Sequence, residues 1–212
     1  MATYNLEEQD KIDSLKTWWD KFGTAITIVL TTLVVTFGGT KMWEHYQRTQ
    51  AHQAADLYVL LQQVQTTNEA DRINDAAHLL TESFSSSGYA PRAALIAAAA
   101  NVEAGDTKRA KENLQWILDN AKEEEMHDLA RLRIAGILLD EGNHAEALRQ
   151  LNTKHGASYA GLYADIRGDV FVALEKFEEA RQAYQTAINQ LNKSNSYFNI
   201  VQMKLDALGD AD

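Results

Sequence analysis

FGTAITIVLTTLVVTFGGT, residues Phe22–Thr40, runs 19 residues without a charge between Lys21 and Lys41. At 1.5 Å of rise per residue it makes about 29 Å of helix, close to the roughly 30 Å hydrocarbon core of a bilayer. No second run of this kind occurs in the chain. The reading that follows is a single-pass membrane protein, with a short tail before the span and one large polar region after it. A cleaved signal peptide fits less well, because the run is longer than an h-region, the segment before it is acidic, and no A-x-A site follows. A core helix of this length would carry charges on one face, and this one carries none. Six threonines (Thr24, Thr27, Thr31, Thr32, Thr36 and Thr40) lower its apolarity. Each hydroxyl can donate to the carbonyl one turn back, which keeps the cost in lipid small.

Gly23, Thr27 and Thr31 recur every fourth residue, as do Thr32, Thr36 and Thr40. Small residues at that spacing let a second helix approach closely in lipid. Gly23, Thr27 and Thr31 are therefore the expected contacts to a membrane-embedded partner. Trp18 and Trp19 precede the span, and Trp43 and Tyr46 follow it, as interfacial anchors. Ile12, Leu15, Trp19 and Phe22 draw an amphipathic stripe ahead of it, and residues Met1 to Asp10 are polar and expected to be disordered. Lys11, Lys16 and Lys21 against Lys41 and Arg48 favour a cytoplasmic tail. The expected division is a tail over 1–21, a transmembrane helix over 22–40 and a soluble domain over 41–212.

The 212 residues carry a formal net charge of −10 and no cysteine, which excludes disulfides and thiol chemistry. No basic stripe of the kind nucleic-acid binders show is present. One proline, sparse glycine and an excess of Ala, Leu, Gln and Glu after the span predict helix throughout.

That helical region repeats. Gly105, Gly142 and Glu175 occupy equivalent turns, each followed five residues later by an alanine: Ala110, Ala147 and Ala180. Four residues on come Leu114, Leu151 and Tyr184, and twelve residues before the alanines come Ala98, Ala135 and Gly168. Offsets of 37 and 33 residues lie near the tetratricopeptide period. Small residues at facing positions let paired helices cross closely, and a large residue one turn later fills the groove. Ala76 and Leu80 continue the spacing into a degenerate first repeat. The expected architecture is all-α: a single transmembrane helix, then a tetratricopeptide-like solenoid of helix pairs over about 50–85, 90–120, 124–153 and 157–191. A last helix from Ser194 to Leu208, capped by Ser194 or Asn195, closes the stack.

Little in the chain points to catalysis. His45, His52, His78, His127, His144 and His155 lack metal-ligand spacing, and no phosphate loop, dinucleotide fingerprint or nucleophile elbow occurs. Glu123, Glu124 and Glu125 read as the first turn of a helix, complementing its dipole. Asp165 and Asp169 lie one turn apart, with Arg131 and Arg133 in the corresponding part of the preceding repeat. Paired carboxylates do acid–base work in an enclosed pocket. In a solenoid they are expected as ion pairs between stacked helices, so no catalytic residue, cofactor or metal is assigned.

The tail and anchor (Glu8-Gln9-Asp10 to Lys16, Trp18-Trp19, the span, Lys41-Met42-Trp43), the segments Leu129–Ala135 and Tyr163–Asp169, and the end Gln202-Met203-Lys204-Leu205 together resemble the YfgM family. The resemblance covers essentially the whole chain. It implies a tetratricopeptide-like ancillary subunit of the bacterial Sec translocon, in the inner membrane, with its N-terminus cytoplasmic and its repeat domain periplasmic. It implies association with SecYEG and with the membrane-anchored chaperone PpiD, and a role in passing translocated proteins to periplasmic chaperones. No nucleic acid and no small-molecule substrate is implied. On this reading Leu95, Asn101, Arg131, Leu138 and Phe171, from the first helix of each pair, are the expected repeat-surface contacts. The rival reading is a membrane-tethered repeat protein coordinating an envelope or division complex, since fold alone does not give function.

Overall fold

The computed structural model describes residues 3–192 and 196–209, with side chains from residue 10 onward. The described residues form α-helices, one short 3₁₀ turn and no strand. Helix α1 spans Thr3–Gln65. It therefore begins inside the stretch expected to be disordered. No Gly or Pro lies between Thr3 and Phe22 to stop a helix propagating back from the span.

The chain divides into two compact units, Met1–His52 and Gln53–Asp212. Within the first, α1 is the one helix among the described residues long and apolar enough to cross a membrane. Along the span its apolar side chains lie open: Leu33, Val34, Val35 and Phe37 are all at least 60% exposed, the surface a lipid-facing helix presents. Three of the span's threonines bond back as expected. Thr27 donates to the Gly23 carbonyl at 2.7 Å, Thr32 to Ile28 at 2.8 Å and Thr40 to Phe37 at 2.9 Å. Trp18 packs on Phe22 (5.8 Å between centroids) and Trp43 on Tyr46 (6.0 Å), one aromatic pair near each end of the span.

In the second unit, the end of α1 pairs with α2 (Ala70–Ser83) through one apolar cluster. Then α3 (Tyr89–Glu103) pairs with α4 (Thr107–Asn120), and α5 (Glu124–Asp140) with α6 (His144–Leu151). A 3₁₀ turn at Ala157–Tyr159 leads into α7 (Ala160–Ala173), which pairs with α8 (Phe177–Gln190). Helix α9 (Ser196–Ala207) packs on α8 and ends the stack. The caps expected at Ser194 and Asn195 lie outside the described residues.

The turns inside three pairs are superimposable in their bonding. Gly105, Gly142 and Glu175 all have left-handed backbone, with φ of 79°, 75° and 58°. The next residue's N–H returns five positions: Asp106 to the Asn101 carbonyl at 2.8 Å, Asn143 to Leu138 at 2.8 Å, and Lys176 to Phe171 at 2.9 Å. This is the Schellman closure, which satisfies carbonyls left open at a helix C-terminus. Glycine adopts the left-handed region without strain; Glu175 does so at a steric cost.

Those turns hold the small residues face to face. Ala110, Ala147, Ala180 and Ala135 are fully buried, with Ala98 and Gly168 close behind. At Gly168 an added Cβ would lie 2.4 Å from the Tyr184 ring, so the aromatic fills the space that the glycine leaves. The first repeat departs from the expected register. Asn68 is the fourth left-handed turn (φ 55°), and Ile73, five residues on, bonds to Glu69 as Ala110 does to Asp106. The buried set of α2 is Ile73, Ala77 and Leu80, matching Ala110, Leu114 and Ile117 of α4. Ala76 is thus three places off the alanine position of the other repeats, which Ile73 holds here. Large and small residues have exchanged positions in this pair, so the alanine spacing falls on Ala76 while Ile73 holds the equivalent place.

Candidate interaction surface

The stack is closed at its end by a polar cluster. Asp165 of α7 is completely buried and accepts from Tyr197 Oη at 2.5 Å and Lys204 Nζ at 2.9 Å, both on α9. Lys204 also reaches Asp169 at 2.7 Å, and Asp169 accepts from Tyr184 Oη at 2.7 Å. Burial raises the Asp165 carboxyl above the ordinary range, against the pull of its bonds to Tyr197 and Lys204. Burial alone would lower the Lys204 ammonium, but its bonds to Asp169 and Asp165 outweigh this and raise it. The two aspartates are thus an ion-pair anchor for the last helix. Arg131 and Arg133 of the preceding repeat do not serve them. Arg131 lies 3.7 Å from the buried Asp128 instead. Asp128 in turn accepts from the Gly156 N–H at 2.8 Å, and its own carbonyl accepts from Tyr163 Oη. These groups are spent on holding helices and loops together.

The open surface lies on α3, α5 and α7. They line a groove of about 690 Å³, with Tyr197 at one side. Leu95, Leu129, Leu162 and Ile166 are partly exposed there, and Val102 is 43% exposed. Gly136 forms part of its wall; a Cβ placed there would meet nothing within 4 Å. Arg133 projects in its middle stretch, while Glu103 and Asp140 stand at one rim, at the last residues of α3 and α5. The lining is chiefly aliphatic, with few charges, as peptide-binding grooves are. A second, polar cleft of about 410 Å³ lies between α2 and α4, where Arg109 bonds Asp71 at 2.8 Å.

Of the five expected repeat-surface contacts, only Leu95 opens on the groove. Leu138 is buried in the central apolar cluster. Asn101 is 1% exposed and forms a reciprocal amide pair with Asn74, at 2.7 and 2.9 Å. Phe171 packs against the cluster under α9. Arg131 is turned to Asp128. Asn101, Leu138 and Phe171 share one repeat position, four residues before the left-handed turn, and this position is turned into the packed interior of the stack. The groove is instead lined from positions such as Leu95, Leu132, Ile166 and Gly136. The signal that separates the two was present in the 3.6-residue period of α5, where Leu129, Leu132, Arg133 and Gly136 share one face.

Within the span, Gly23 is covered by the indole of its own chain's Trp19, which would lie 2.9 Å from an added Cβ. The small-residue stripe therefore starts under a side chain, and Thr31 is the exposed end of it.

A family model described as a tetratricopeptide repeat-like domain matches residues 16–210. Three similar proteins carry the name ancillary SecYEG translocon subunit. The one from Neisseria gonorrhoeae is 29% identical over 205 residues, 96% of this chain and 98% of the relative. The one from Haemophilus influenzae is 28% identical over 97% of this chain and 99% of the relative. The one from Escherichia coli is 23% identical over 95% and 96%. No solved structure matches the chain.

Proposed function

Since the chain belongs to the YfgM family of tetratricopeptide repeat-like proteins, we propose that it is a membrane-anchored, non-enzymatic scaffold acting as an ancillary subunit of the SecYEG translocon. The observation that carries this is the extent of the likeness. It runs through the apolar anchor as well as the repeats, over nearly the full length of relatives bearing that name. A likeness confined to the repeats would speak for the fold alone.

In this reading residues 1–21 lie in the cytoplasm, 22–40 cross the inner membrane and 41–212 form the periplasmic domain. Thr27 and Thr31 meet a helix of the channel, and Gly23 joins them when Trp19 swings aside. The groove on α3, α5 and α7 binds PpiD, and the pair passes emerging proteins to periplasmic chaperones. Photocrosslinking in intact cells tests the scheme, with probes at Thr27, Thr31 and Thr36 in the span and at Leu95, Val102 and Gly136 in the groove. The expected result is span adducts to SecY or SecE and groove adducts to PpiD. Adducts confined to envelope or division proteins would overturn it.

A further inference from the structure

We infer that the groove on α3, α5 and α7 selects an amphipathic protein segment whose apolar face is flanked by lysine or arginine at the end that meets Glu103 and Asp140. The inference rests on the groove being the partner site proposed above, and concerns what the partner presents there.

Glu103 and Asp140 hold the same place in successive repeats, 37 residues apart. Each is the last residue of its helix, and each is exposed at the groove rim. Neither is held in an ion pair by a described residue. This differs from the acids nearby: Glu141 bonds Lys111 at 2.6 Å and Thr107 at 2.7 Å, and Asp106 caps α4. Among the described residues the rim pair is thus left without a cation, while the neighbouring acids Glu141 and Asp106 are engaged. Both also sit where a helix C-terminus concentrates negative potential, so a cation there is favoured twice. Arg133 projects on α5 two turns before Asp140, about 10 Å along the axis. The groove therefore has electrical polarity, acidic at one rim and basic near the middle, over an aliphatic lining. A segment lying in it with its basic end at Glu103 and Asp140 satisfies both charges, and the reverse orientation satisfies neither. The volume of about 690 Å³ suits a few apolar side chains, the anchors of one short helix or strand.

The test uses the full chain in nanodiscs of zwitterionic lipid and two fluorescent peptide twins. Both are amphipathic with leucines at i, i+3, i+4 and i+7; one ends in two lysines, the other in two glutamates. Specific binding is the part of the anisotropy signal that Gly136→Trp abolishes, a substitution at a groove-wall position where an added Cβ meets nothing within 4 Å. The lysine peptide is expected to bind about tenfold more tightly than its twin, the sum of two exposed charge contacts changed in sign. Glu103→Gln with Asp140→Asn should reduce that preference to about twofold or less, while Glu112→Gln with Asp119→Asn, equal in net charge, leaves it intact. Twins bound equally, a preference that survives neutralisation of the rim, or no binding sensitive to Gly136→Trp would each overturn the inference. Any of these with groove adducts to PpiD intact would leave the proposed function standing, so the two failures are told apart.

Discussion

Lys204 Nζ lies 2.9 Å from the completely buried Asp165 and 2.7 Å from Asp169, and so ties α9 to α7 across the end of the stack. Removing the cation strands a buried carboxylate, which is more damaging than never having had the pair. Lys204→Met is expected to destabilise the repeat unit by about 3 kcal/mol. Adding Asp165→Asn should restore part of the loss. Urea denaturation of both variants followed by circular dichroism measures this; an additive double variant would show that the pair is not coupled.

Stability should fall steeply on the alkaline side. Burial first, and neighbouring acids second, raise the phenols of Tyr159, Tyr163, Tyr184 and Tyr197. A phenol whose folded pKa is raised contributes stability that is full below its unfolded value, about 10, and is lost as the pH climbs through the folded value. The raised Lys204 acts in the same sense. These four phenols should therefore ionise together with unfolding, as a late step in absorbance at 295 nm that coincides with loss of helical ellipticity. Gradual ionisation with the helices intact would contradict the assignment. Asp165, raised by burial, has the same sign at the acid end: its contribution is full below the ordinary Asp value and declines as the pH rises past it.

Two helical glycines should respond in opposite directions to alanine. At Gly168 the new methyl meets the buried Tyr184 ring at 2.4 Å, and the variant should lose about 2 kcal/mol. At Gly136 the methyl meets nothing, and the gain is the propensity difference alone, about 1 kcal/mol. Paired thermal melts give both signs in one experiment.

Glu175 stands where the two preceding repeats use glycine. Its φ of 58° places a Cβ against the following carbonyl, at a cost of roughly 1–2 kcal/mol, against the entropic cost of a glycine there of about 0.5–1 kcal/mol. Glu175→Gly should therefore raise stability by about 0.5–1 kcal/mol. Gly142→Ala, at φ 75°, should lower it by about 1 kcal/mol. A shift in urea midpoint with unchanged slope is the expected form of both effects.

The sequence alone determined the apolar span, the helix pairs and the equivalent turns at Gly105, Gly142 and Glu175. These depend on charge-free length, on a period of three to four residues and on single residues such as Gly105 and Gly142, all local properties. The first repeat sits three residues away from its alanine spacing because Ile73 and Ala77 exchange the sizes that Ala110 and Leu114 hold, and a spacing pattern does not weigh one helix's bulk against its neighbour's. Tertiary structure alone decided which side chains are open. Asn101 reads as a polar surface residue until Asn74, 27 positions away, takes its amide. Asp165 finds Lys204 rather than an arginine of the preceding repeat only because α9 docks on α7 and α8. Partnership between distant polar groups is fixed by how the helices stack, and stacking is set by the summed packing of many small apolar contacts that no single spacing records.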